Sequence, residues 1–145
     1  MCKQLDFEEI SKRFQIETGD VLTLSHCDSL EIDENTEKIR FIEETRLVLA
    51  SKTDLKDKLE KEKVSLTKKM WGSVAVFQWW ICKENRHDFH KFEREFVVAY
   101  SLNGSLDEIR LAKALLTPLR DTLEDFKNGA VHSVKIKRIF SRSQI

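Results

Sequence analysis

Proline is almost missing from this chain, at one in 145 residues, and glycine is scarce at four. A sequence so poor in both is not collagen-like, and it has no Gly-, Pro- or Ser-rich linker dividing it into loosely joined units. The glycines Gly19, Gly72, Gly104 and Gly129 are solitary. None opens a GxxxxGK or GxGxxG pattern, in which closely spaced glycines let backbone amides reach a phosphate. GxSxG and HExxH are absent as well. Cysteine is limited to Cys2, Cys27 and Cys82, odd in number and far apart. That spacing makes neither a disulfide framework nor a CxxC metal knuckle, and it favours a reducing compartment. Charge of one sign is lacking too: 25 basic side chains face 25 acidic ones, so the whole molecule has no field drawing it to nucleic acid or an anionic membrane. The most apolar stretch, Met70 to Cys82, is too short to span a bilayer. "MCKQLDFEEI" has no apolar core of the kind a secretory leader carries. The expectation is a cytoplasmic protein with no membrane partner.

What is present suits one packed core. Hydrophobic residues make up 41% and charged residues 34%, and the length fits a single domain over 1–145. Three regions follow. In 1–50, Leu5, Ile10 and Phe14 predict a short amphipathic helix, "VLTLS" reads as extended, and Leu30 and Ile32 alternate opposite Ile39 and Phe41 across "ENTE" as a β-hairpin. In 51–130 the pattern turns helical. "DLKDKLEKEKVSLTKKM" carries Leu55, Leu59, Leu66 and Met70 in a narrow stripe, with Asp54/Lys58 and Asp57/Lys61 as acid-first pairs four residues apart. "MWGSVAVFQWWIC" is apolar all round and reads as a buried helix, with a strand as the competing reading. Phe89, Phe92, Phe96 and Tyr100 have helical spacing, and "SLDE" opens another helix from about Leu106 to Lys127, kinked at Pro118. In 131–145, Val134 and Ile136 alternate with lysines as a basic C-terminal strand or tail.

Chemistry concentrates in "WWICKENRHDFHKFERE", with Cys82, His87 and His90 close together. Zinc needs about four converging deprotonated ligands. On a helix that buries Phe89, Phe92 and Phe96, both histidines face solvent beside Lys91 and Arg94, and Cys82, before the break, is expected to turn inward. Solvent-facing histidines and a buried thiol are therefore expected rather than a metal centre. "HCD", His26 to Asp28, holds the side-chain types of a catalytic triad, but sequential neighbours point apart and a triad is assembled in space. No catalytic, cofactor-binding or metal-ligating residue is assigned.

Two features remain for binding. Trp71, Trp79 and Trp80 lie in the segment without a polar face, and tryptophan is favoured at interface anchors. Together with Leu55, Leu59, Leu66 and Met70 they form the candidate protein interface, and the leucine stripe suggests a homodimer seam. Lys135, Lys137, Arg138 and Arg142, in a stretch without acids, are the candidate nucleic-acid contacts. The sequence thus predicts an α+β chain, mainly α-helical, with helices packed on a small N-terminal antiparallel sheet or hairpin. Its expected role is a non-enzymatic adaptor, inhibitor or regulator acting by protein–protein contact. A nucleic-acid-associated regulator and a Cys/His enzyme or metal protein are the alternatives.

Overall fold

The computed structural model describes residues 2–19, 26–48, 52–103, 120–121, 123–125 and 130–138. In chain order they form β1 (Cys2–Leu5), α1 (Phe7–Glu17), β2 (Ser29–Asp33), β3 (Lys38–Val48), α2 (Lys52–Lys83), a 3-10 turn (His87–Lys91), β4 (Glu93–Asn103) and β5 (Ser133–Arg138). Asp6 starts α1: its carboxylate accepts the Glu9 N–H at 3.1 Å, and Phe7, Ile10 and Phe14 then turn inward at helical spacing. Thr18 ends the helix by donating its N–H and hydroxyl to the Phe14 carbonyl, and Gly19 follows at φ 68, where a side chain would be strained.

β2 and β3 pair with Leu30 opposite Phe41 and Ile32 opposite Ile39, the register that the alternation predicts. In the turn between them the Asp33 carboxylate accepts the N–H groups of Asn35 and Thr36, and Glu37 takes φ 53. This hairpin is part of something larger. β1 pairs antiparallel with β2, β4 runs parallel to β3, and β5 parallel to β4, giving a five-stranded sheet in the order β1-β2-β3-β4-β5.

That sheet corrects the expectation of a mainly helical chain with a small N-terminal hairpin. The error lies chiefly at residues 93–103. Phe96 and Tyr100 are four apart, and four is a multiple of two, so a strand aligns them as well as a helix does. Phe96, Val98 and Tyr100 are all buried from one face of β4, while Phe89 and Phe92 belong to the 3-10 turn and its end. The β-branched Val97 and Val98 fit a pleated strand better than a crowded helix.

α2 runs 32 residues without a break, so the charged segment and the apolar segment that follows it are one helix. The extended reading of "VLTLS" lies outside the described residues. So does most of the proposed helix from Leu106 to Lys127, of which Arg120, Asp121, Leu123 and Glu124 are helical and Leu123 is buried. Val134 and Ile136 do lie on a strand, β5, and pack partly buried against the core. Both helices cover the same face of the sheet. Phe7, Ile10 and Phe14 of α1 join Leu66, Met70, Phe77 and Ile81 of α2 in one cluster with Leu30, Ile32, Ile39, Phe41, Phe96 and Val98. On the opposite face Glu31, Arg40, Glu95, Lys135 and Lys137 line a shallow polar basin floored by Ile42 and Val97. No helix among the described residues is long and apolar enough to cross a membrane.

Candidate functional site

α2 sorts its side chains by helical phase. Leu66, Met70, Ser73, Val76, Phe77 and Ile81 are buried against the sheet. On the other side, successive positions of an ideal helix advance by about 100°. Val64, Trp71, Ala75 and Cys82 therefore fall within about 40° of one another, along a line roughly 27 Å long. All four are exposed: Val64 retains 54% of its surface and Trp71 43%. Asp57, Glu60, Lys61 and Lys68 continue or flank the line, and all are exposed. An aromatic and an aliphatic side chain held outward on a rigid helix, with charges at the margin, have the make-up of a protein-contact surface.

The tryptophans divide accordingly. Trp79 stands edge-on to Phe14 of α1 at 5.5 Å, and Trp80 stacks against both Phe77 and Phe89, at 5.8 and 6.1 Å. Both pack against the core, and Trp71 alone of the three is exposed. Of the leucine stripe, Leu66 is fully buried beside Met70, so these two belong to the chain's own core; the side chains of Leu55 and Leu59 lie outside the described residues. Sequence reasoning missed Val64 because it interrupts the leucine pattern. The signal was its seven-residue separation from Trp71, which puts the two on one line.

A second concentration of chemistry is internal. Glu43 follows Ile39 and Phe41 in the alternation of β3, so it points under α2, where 2% of it remains exposed. Its carboxylate accepts the Asp28 N–H at 3.1 Å and the Lys69 ammonium from α2. Asp28 in turn accepts the Glu44 N–H at 2.8 Å, and the Cys27 N–H donates to Ser73 Oγ at 2.8 Å. Burial pushes the Glu43 carboxyl up to about 7; the bond from Lys69 opposes this and the nearby Asp28 charge adds to it. Lys69 is itself raised: burial disfavours its charge, but the bond and charge of Glu43 outweigh burial. The group that takes up a proton as pH falls is therefore Glu43. The Cys27 thiol is fully buried and pushed up to about 12 by burial, and its Sγ lies 3.2 Å from the Ser29 carbonyl. A thiol so hard to ionise is a weak nucleophile. "HCD" thus sits beside Glu43, Lys69 and Ser73, a grouping the sequence does not reveal, although the parity of Glu43 with Ile39 and Phe41 was a usable clue.

His87 and His90 stack on one another at 5.6 Å, both exposed, on the 3-10 turn. Asn85 adopts φ 56 and the cap position is Arg86. Cys82 corrects its expected inward placement: it is exposed, because it falls on the outward line of α2, one residue beyond the buried Ile81. Among the described residues no group of three or more His, Cys, Asp or Glu is placed to hold a metal ion.

The basic C-terminal residues split. Lys135 and Lys137 project from β5 into the basin on the sheet face opposite α1 and α2, where Arg40 lies between Glu31 at 2.9 Å and Glu95 at 3.3 Å. Acids are thus interleaved with the cations there, and a phosphate backbone approaching them meets both signs. Arg142 lies outside the described residues, as does the Arg138 side chain. The chain matches no family model, no curated protein and no solved structure.

Proposed function

We propose that this chain is a small non-enzymatic protein-binding module, an adaptor, inhibitor or regulator, that engages its partner through the outward face of α2. The observation that carries this reading is the exposure of Trp71 and Val64 on one line of a helix whose other large apolar side chains, among the described residues, turn inward. Each keeps about half of its surface in water, so part of the roughly 1.5–3 kcal/mol that full burial of a large apolar side chain supplies is forgone, and a partner surface recovers it. A cytoplasmic setting belongs to the same reading, supported by the free thiols of Cys27 and Cys82.

The test is comparative capture from the native host with three immobilised proteins: wild type, Trp71→Glu, and Lys12→Glu as an exposed control on α1. The reading expects partners retained on wild type and on the control and lost on Trp71→Glu. An identical set on all three proteins would remove α2 as the contact surface.

A further inference from the structure

We propose that the outward face of α2 receives a second copy of this chain, the two helices packing antiparallel about a two-fold axis. The inference rests on the reading of that face as a protein-contact surface and names its occupant. The order of residues along the line selects both the partner and the direction. Asp57 and Glu60 lie toward the N-terminal end, Lys68 near the middle, and from Trp71 to Cys82 there is no acid at all. A parallel pair sets Asp57, Glu60, Lys61 and Lys68 each against its own copy, so each of these charges meets its like. An antiparallel pair removes all four conflicts.

With the axis passing between positions 69 and 70, Val64 of one copy lies level with Ala75 of the other. Lys68 lies level with Trp71, and the symmetry makes each contact twice. An ammonium against an indole face is favourable, more so as water leaves. Ala75 is small enough for two helix axes to approach to about 8–10 Å, the separation of packed helices. The acidic end, Asp57 and Glu60, comes level with the acid-free last turns of the partner, and the two helix dipoles oppose. A molecule with 25 charges of each sign has no net repulsion to overcome on meeting its copy. The contact follows one line of side chains over about seven turns of a single helix, which belongs to the small, reversible class of interfaces.

Register gives the test its sharpness, because Asp57 of one copy falls level with Cys82 of the other. Sedimentation velocity of the full chain, from about one to several hundred micromolar, should show a monomer passing to a dimer. Trp71→Glu should weaken that association by about tenfold or more while the circular dichroism and the denaturation midpoint stay unchanged. Under mild oxidation Asp57→Cys should form an interchain disulfide between its new thiol and Cys82, and adding Cys82→Ser to that variant should abolish it.

A monomer throughout the concentration range overturns the inference, whatever host protein the face captures. Trp71-dependent capture by such a monomer leaves the broader reading of the face standing and isolates the failure to this step. A dimer indifferent to Trp71→Glu places the interface elsewhere and overturns it as well. Efficient Cys82-to-Cys82 crosslinking of the wild type, lost in Cys82→Ser, establishes a parallel pair and overturns the antiparallel arrangement.

Discussion

Glu43 favours its proton in the folded chain. Its ordinary value is 4.5 and its folded value is about 7, so between the two the folded state binds more protons than the unfolded one. Stability from this group is therefore greatest below the ordinary carboxylate range and is lost as pH rises toward about 7. Denaturant titrations across that window should show the midpoint falling with rising pH, and Glu43→Gln should flatten that limb. A midpoint that rises instead would mean that the Lys69 pairing outweighs burial. The cysteines make an equally local contrast. Cys82 should react with a thiol reagent in the native protein, and Cys27, buried and hard to ionise, only on unfolding. Following the reaction in the double variant Cys2→Ser, Cys82→Ser, which leaves Cys27 as its one thiol, checks this, since no fast phase should then remain.

At the scale of the element, α2 has an inward and an outward side with different tolerances. Leu66→Ala removes a fully buried side chain between helix and sheet and should cost about 2–5 kcal/mol. Val64→Ala, on the exposed side, should change stability by about 0.5 kcal/mol or less. A denaturant midpoint for each variant makes the comparison. The same division decides an idea the sequence invites. Leu66→Glu puts a carboxylate into the core cluster and should unfold the chain rather than part a dimer. The β2–β3 turn is the other sensitive element. Glu37 sits at φ 53, a left-handed conformation that costs an L-residue roughly 1 kcal/mol, so Glu37→Gly should raise stability.

Elements were legible in the sequence where one periodicity excluded the other. The hairpin register was readable because Leu30, Ile32, Ile39 and Phe41 alternate around a turn built from Asp33 to Glu37. β4 was not, because aromatic residues four apart satisfy both periods and only the neighbouring valines tip the balance. The long helix was readable in parts, and its continuity was not, since a charged surface half and an apolar half look like separate units. The network around Glu43 was hidden for a different reason: Asp28, Lys69 and Ser73 come together only when α2 crosses β3.

For the whole molecule, the face of the sheet opposite α1 and α2 and its outer strand set the behaviour in solution. β5 is an edge of the described sheet, and its Lys135 and Lys137 put charge where another strand would otherwise add. Replacing both with Val should raise light scattering at concentrations where the wild type stays clear. The strand order carries a further consequence, for the route by which the chain folds. β2 meets β3 across a four-residue turn, but every β3–β4 pair joins residues 55 apart, as Arg40 and Glu95 do. Closing so long a loop before any ladder bond forms is entropically slow, and a helix that spans the gap shortens the search. The hairpin and α2 can form from local contacts, whereas the parallel half of the sheet has to wait for them. On a ribosome the strand at the far edge emerges last. Until β5 docks, β4 carries an open flank of unpaired amides and carbonyls, the stage at which a nascent copy is most exposed to pairing with the wrong strand.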